Sequence, residues 1–161
     1  MPTHRDIQQA LVTMGDKEKD FVGSSQWIGA VEVSMCVNYF TNELIDCRIV
    51  NVTEGSLLVR QGSELRSHFL THGTPVMIGG DVYAHTILGV DIRKGINLEE
   101  DDTSSMVDPP VMFLILDPHF KGQDTNLKTI ISKGWCQWKD PRKFFNQTTF
   151  YNICMPMLPS E

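Results

Sequence analysis

The chain has 161 residues, of which 41% are hydrophobic and 21% are charged, and its formal net charge is −6. This length fits one domain over residues 1–161 with a sizeable core, and the acidic balance argues against a general binder of nucleic acids. No apolar run reaches the ~20 residues of a membrane helix, and residues 1–25 are too charged for a secretory signal. We therefore expect a soluble cytoplasmic protein whose cysteines are thiols.

Helical patterns dominate the first part of the chain. Thr3 and Asp6 form a capping-box pattern before a helix whose apolar residues, from Ile7 to Met14, recur at helical spacing. Gly15 is expected to end this helix. Further helices are predicted over residues 25–40, 63–72 and 124–133, and a strand is predicted over 45–52.

Strand patterns dominate the second part. Segments rich in β-branched and aromatic residues predict strands over 74–78, 83–92, 111–116 and 149–155. The run Gly79-Gly80-Asp81 is expected to close a hairpin between the first two of these strands. An exposed acidic loop is expected at about 94–110. Helices followed by a mostly antiparallel sheet define an α+β fold.

One acid–histidine pair stands at the end of a predicted strand, in the stretch "LILDPHFKG". Asp117 and His119 are two positions apart, so an extended backbone directs both side chains to the same side, about 6.7 Å apart along the chain. Pro118 suits a strand end because it has no N–H to donate. The carboxylate is thus placed to orient the imidazole, although an Asp-Pro turn followed by a surface histidine fits the pattern equally well.

Three other histidines have simpler interpretations. His85 lies within an apolar strand, where a lone histidine is more often a hydrogen-bonded core residue than a catalyst. His68 and His72 are four residues apart on a predicted helix, as in helical zinc motifs. The glutamate of the HExxH pattern is missing and no third ligand is evident, so the sequence favours a solvated helix face and no metal site.

The sequence offers no clear nucleophile to accompany this pair. Cys36 falls within a predicted helix, and Cys47 and Cys154 fall within strands, whereas a reactive thiol is best placed at a helix N-terminus. Cys136 lies between two tryptophans and is the least implausible candidate, but no helix begins there. No Gly-x-Ser-x-Gly pattern supplies a serine instead.

The segments "PTHRDIQQAL", "FVGSSQWIGAVEV", "HGTPVMIGGDVYAHTILGVD", "FLILDPHFKG" and "KGWCQWKD…FYNICMP" occur in this order from Pro2 to Pro156. Together they closely resemble the cysteine proteases specific for the ubiquitin-fold modifier, and most closely the larger members of that family. The resemblance implies a papain-like fold and cleavage after the modifier's C-terminal glycine, which matures the precursor and frees the modifier from lysines. It also implies the modifier and its conjugates as partners, an adaptor at the cytosolic face of the endoplasmic reticulum, and no cofactor.

The same resemblance assigns roles to individual residues. His119 matches the family's general base, and Asp117 matches the carboxylate that orients it. His85 matches the histidine of the family's Ala-His-Thr segment and is carried over as an active-site neighbour. Gln26 and Trp27, in "GSSQWIG", are expected to line a substrate cleft.

The resemblance also predicts what this chain does not contain. The family's nucleophile lies in a Gly-Trp-Gly-Cys segment upstream of the Pro-Thr-His run, which here starts at Pro2. We therefore expect a C-terminal portion of a peptidase domain, truncated at the N-terminus, with the acid–base half of the site and no activity alone. The acidic loop is expected to be an insertion. The alternative is a non-catalytic module that binds the modifier or an adaptor.

Overall fold

Two N-terminal helices precede a sheet with further helices in the computed structural model, which describes residues 1–93, 110–120 and 126–159. The helices are α1 (His4–Thr13), α2 (Ala30–Phe40), α3 (Gly62–Thr71), α4 (Leu127–Ser132) and α5 (Pro141–Phe144). The strands are β1 (Asp46–Val52), β2 (Val76–Gly80), β3 (Tyr83–Ile92), β4 (Val111–Leu116), β5 (Cys136–Lys139) and β6 (Tyr151–Met157). Across these ranges, no helix combines the length and the apolar character that crossing a membrane requires.

The start of α1 agrees with the sequence prediction. The backbone N–H of Thr3 donates to Asp6 Oδ2 at 2.7 Å, and the N–H of Asp6 donates to Thr3 Oγ1 at 3.2 Å. This reciprocal pair satisfies two N–H groups at the start of the helix, which otherwise have no acceptor. The predicted capping box is therefore confirmed.

The start of α2 was predicted five residues too early. The side-chain amide of Gln8 binds the loop that precedes α2 through both of its polar atoms. Its Nε2 donates to the Ser24 carbonyl at 2.9 Å, and its Oε1 accepts from the Gly23 N–H at 2.8 Å. The helix begins instead after Gly29, whose N–H donates to Glu32 Oε2 at 2.9 Å. The loop before α2 is thus bound to α1, a contact that local periodicity does not reveal.

The described strands form one sheet in the order β1-β6-β2-β3-β4-β5, and each neighbouring pair is antiparallel. This confirms the predicted α+β class with an antiparallel sheet. The short strand β5 was not predicted. The hairpin between β2 and β3 is present, but Gly79 and Gly80 pair within β2, and Asp81 makes the turn with a φ of 56°.

The main core lies on one face of this sheet, where α3, α5 and the turn over Gly55–Gln61 cover it. The buried side chains include Leu58, Leu65, Val76, Ile78, Ile87, Val111, Phe113, Ile115, Phe145, Tyr151, Ile153 and Met155. A smaller cluster of Leu11, Phe21 and Cys36 joins α1 to α2. The acidic loop predicted at 94–110 lies, apart from residue 110, outside the described residues.

Candidate active site

The register of β3 and β4 brings His85 and Asp117 together. Ile87 pairs with Ile115, and both side chains are buried on the core face of the sheet. His85 comes two residues before Ile87, and Asp117 comes two residues after Ile115, so strand alternation directs both toward that same face. With His119 they form the strand-end cluster: one ligand atom from each of the three side chains lies within 4.8 Å of the other two.

Asp117 holds the imidazole of His119 directly. His119 Nδ1 lies 2.7 Å from Asp117 Oδ1, and the backbone N–H of His119 donates to the same oxygen at 2.9 Å. The N–H of Asp117 donates to the Trp135 carbonyl at 2.8 Å, which anchors the carboxylate to the end of β5. With Nδ1 donating to the carboxylate, Nε2 becomes the free acceptor of the ring.

The surroundings of Asp117 favour its ionised form. Partial burial tends to raise the pKa of this carboxyl. The hydrogen bonds from the His119 backbone and ring, together with the charges of the two neighbouring imidazoles, outweigh burial and hold the pKa of Asp117 below its usual range. A carboxylate is therefore present at neutral pH, and 31% of the Asp117 side chain remains exposed.

His85 is packed more tightly than His119. Its ring lies edge-on to Phe144 at a centroid distance of 5.1 Å and to Phe145 at 6.1 Å. Burial lowers the pKa of His85, and this outweighs the opposing effect of the nearby Asp117 carboxylate. The structure therefore places this residue beside His119, 6.1 Å between ring centroids, as a neutral imidazole at neutral pH.

A groove of about 260 Å³ adjoins this cluster at Tyr83, and its lining also includes Trp27, Gly79, Gly80 and Phe150. Trp27 was predicted to line a cleft, and 71% of its surface is exposed. Gln26 lines a different depression, next to α1.

The sequence interpretation missed Tyr83, whose ring packs edge-on against His119 at 5.0 Å. The signal was present, because Tyr83 is two residues before His85 on the same strand face.

The two histidines of α3, here called the helix pair, are His68 and His72, with ring centroids 5.4 Å apart. The predicted solvated face is wrong for His68, which is 6% exposed because α3 packs onto the sheet. His68 Nε2 lies 2.9 Å from Thr74 Oγ1 and 3.2 Å from the Thr74 carbonyl. Burial lowers the pKa of His68. Its burial and its bond to Thr74 therefore place His68 in the packing of α3 against the sheet, and in the part of the chain that the structure describes the one group of three possible metal ligands lies at the strand ends.

All four cysteines are free thiols, of which Cys36 and Cys154 are buried and Cys47 and Cys136 are partly exposed. Cys36 is buried between α1 and α2. Cys154 is fully buried beside Cys47, and burial raises its pKa to about 12. Cys136 pairs with Leu116, so strand alternation directs it to the face opposite Asp117. None of these sulfur atoms belongs to the strand-end cluster within the described ranges.

Comparison with known proteins points to the protease family that the sequence motifs resemble. The model of peptidase family C78 matches residues 1–154. Ufm1-specific protease 2 is 47% identical over 160 residues in Homo sapiens and 48% identical over 159 residues in Danio rerio. These matches cover 99% of this chain but only 31% and 36% of the two relatives, so the chain spans about a third of their length.

A solved structure supports the same fold. The crystal structure of UfSP from C. elegans superposes with a TM-score of 0.74 and 42% sequence identity. The match covers 99% of this chain and 26% of the other. The papain-like α+β fold that the sequence resemblance implies is therefore confirmed.

Proposed function

Because the chain belongs to peptidase family C78, we propose that it supplies the acid–base residues of a thiol protease that acts on Ufm1. The observation that carries this proposal is the 2.7 Å contact between Asp117 Oδ1 and His119 Nδ1, made on a half-exposed imidazole. This contact leaves His119 Nε2 as the proton acceptor, which is the arrangement that a cysteine nucleophile requires. The names of the relatives supply Ufm1 as the target.

The mechanism follows from these two residues. His119 Nε2 takes the proton of a cysteine thiol, and the thiolate attacks the carbonyl carbon of the terminal glycine of Ufm1, which forms a thioester as the bond to the amine breaks. Asp117 stays ionised and stabilises the imidazolium that forms. His119 then returns the proton to the leaving amine, and water releases Ufm1 from the thioester. None of the four thiols described here belongs to the strand-end cluster, so we propose that the attacking thiol comes from sequence outside these 161 residues.

The groove suits a narrow, extended substrate tail. A side chain at Gly79 would approach Met77 Cε to 2.8 Å, and one at Gly80 would collide with the Phe150 carbonyl oxygen. Glycine at position 79 adds no side chain to the lining of the groove, while the exposed Trp27 supplies an apolar wall. We propose that it binds the glycine-ended tail of a Ufm1 precursor or of a lysine-linked conjugate. An adaptor at the cytosolic face of the endoplasmic reticulum remains part of this proposal.

A chimera tests the proposal. These 161 residues would replace the matching quarter of the C. elegans protease, which supplies the remaining segments. We expect the chimera to cleave a C-terminally extended Ufm1, the isolated 161-residue chain to leave it intact, and the chimera with His119→Ala to bind Ufm1 without cleaving it. Retained cleavage by the His119→Ala chimera, or cleavage by the isolated chain, would overturn the assignment.

A second candidate function is binding without cleavage. Three aromatic residues around the groove are strongly exposed: Trp27 at 71%, Phe150 at 60% and Tyr83 at 55%. Exposed aromatic clusters of this kind mark binding surfaces. This candidate predicts that the isolated chain binds Ufm1 and that Trp27→Ala abolishes binding, whereas Trp138→Ala on the far strand β5 does not. Absence of binding at high micromolar Ufm1 would remove it.

A further inference from the structure

We propose that His85, Asp117 and His119 together bind a divalent cation of the zinc class, and that the bound ion withdraws His119 from proton transfer. The three side chains each offer one ligand atom, and these atoms lie within 4.8 Å of one another. Two imidazoles and one carboxylate form a ligand set that Zn²⁺ accepts, with water completing the coordination. The proposal concerns the same residues as the proposed protease, but ion binding is measured without any cleavage.

The ligands are held in place before an ion arrives. His85 is fixed by the rings of Phe144 and Phe145, at centroid distances of 5.1 Å and 6.1 Å. Asp117 is fixed by its N–H, which donates to the Trp135 carbonyl at 2.8 Å. Because neighbouring strands set the positions of His85 and Asp117, the half-exposed His119 is the ligand that reorients when the ion binds.

The site is also open to solvent. The side chain of His119 is 48% exposed and that of Asp117 is 31% exposed. An ion can therefore reach the cluster from solvent and keep one or more water ligands. The helix pair is less accessible to an ion. His68 is only 6% exposed, and its Nε2 is already bonded to Thr74.

Ion binding and proton transfer compete for His119. Two ligands of a tetrahedral zinc ion lie about 3.3 Å apart, given metal–ligand distances of about 2.0–2.1 Å. The 2.7 Å separation of His119 Nδ1 and Asp117 Oδ1 is shorter, so coordination through Nδ1 requires their hydrogen bond to open. Coordination through Nε2 instead consumes the lone pair that would accept the thiol proton. In both cases the ion removes the base.

Calorimetric titration of the 161-residue chain with Zn²⁺ tests this inference. Co²⁺ serves as a spectroscopic probe of the ligands, and a phosphine keeps the thiols reduced. We expect one ion per chain and a Co²⁺ spectrum without a thiolate charge-transfer band. Loss of even an outer-shell partner weakens metal sites about 10–100-fold, so His119→Gln and Asp117→Asn should weaken binding by at least about tenfold. Both positions are partly exposed, so the variants should fold, which circular dichroism can verify. His72→Gln is the matched control and should bind as the wild type does.

Three results would overturn the inference. The first is absence of Zn²⁺ binding by the folded chain. The second is binding that survives both His119→Gln and Asp117→Asn, or that His72→Gln weakens instead. The third is a strong thiolate-to-cobalt band that disappears in Cys136→Ser, since this would place the ion on a sulfur ligand. The protease proposal survives each of these results, because none of them measures cleavage.

Discussion

The strand-end cluster and the helix pair each hold two imidazoles close together, with ring centroids 6.1 Å apart in the first and 5.4 Å apart in the second. They differ in what contacts the ring nitrogens. His119 is held through Nδ1 by a carboxylate and is 48% exposed, whereas Nε2 of the buried His68 is bonded to Thr74. Exposure therefore separates the two: His119 can transfer a proton through Nε2, whereas burial and the bond to Thr74 keep His68 in the packing of α3 against the sheet.

The largest effect should come from removing the carboxylate at the strand ends. In the chimera, Asp117→Asn should lower the turnover of extended Ufm1 by about 10⁴-fold, because the amide favours the imidazole tautomer with its proton on Nε2. Steady-state cleavage kinetics would measure this effect. The same chimera with His72→Gln should cleave at the wild-type rate. Similar losses in the two variants would mean that the distinction between the two clusters is wrong.

A smaller effect, on stability alone, should follow from removing the partner of His68. Thr74→Val deletes the hydroxyl that lies 2.9 Å from His68 Nε2 and that also donates to the Pro156 carbonyl. His68 Nε2 keeps the Thr74 carbonyl at 3.2 Å, but the buried hydroxyl's bonds to His68 and to the Pro156 carbonyl are lost. This should cost about 1 kcal/mol, the lower end of the range for a lost buried partner, which urea denaturation of the chain would measure. Thr13→Val removes an exposed hydroxyl from α1 as a control and should change stability by less than about 0.5 kcal/mol. Equal effects of the two substitutions would contradict a structural role for the helix pair.

The smallest effect should appear as a pH dependence of that stability. Burial lowers the pKa of His68 in the folded state, whereas the unfolded chain keeps a value of about 6.5. The unfolded state therefore binds more protons, so stability is greatest above about pH 6.5 and declines as the pH falls toward the folded pKa, by at most about 1.4 kcal/mol per pH unit.

The variant His68→Gln isolates this contribution. His85, whose pKa is also lowered, is present in both proteins and cancels in their difference. Urea denaturation from about pH 7.5 to about pH 5 should show the stability of the wild type declining more steeply than that of the variant. Parallel curves would show that His68 keeps its ordinary pKa and is not held neutral by burial.

Sequence patterns predicted most of the elements because their signals are local. The capping box of Thr3 and Asp6 marks the start of α1, and strand β4 over Val111–Leu116 matches its prediction at both ends. Strand β5 was missed because "CQWK" has only four residues and depends on pairing with β4 for its strand conformation. The loop before α2 is bound by Gln8, which is distant in sequence, so no local window contains that contact.

The candidate site was predictable only in part, for a related reason. The spacing of Asp117 and His119 indicated their contact because both lie on one short stretch of backbone. The approach of His85 depends on the register between β3 and β4, which includes an irregularity between Ile87 and Gly89. The burial of His68 depends on how α3 packs against β3. Spacing within one element can be read from sequence, whereas contacts between elements require the fold.

The tautomer of His119 in the 161-residue chain tests the central claim most directly, and long-range ¹⁵N–¹H correlation spectra of its imidazole report which nitrogen carries the proton. We predict that neutral His119 is protonated at Nδ1, toward Asp117, and that Asp117→Asn shifts the proton to Nε2. A wild-type ring protonated at Nε2, or one tautomer shared by both proteins, would contradict the claim that Asp117 prepares His119 to act as a base.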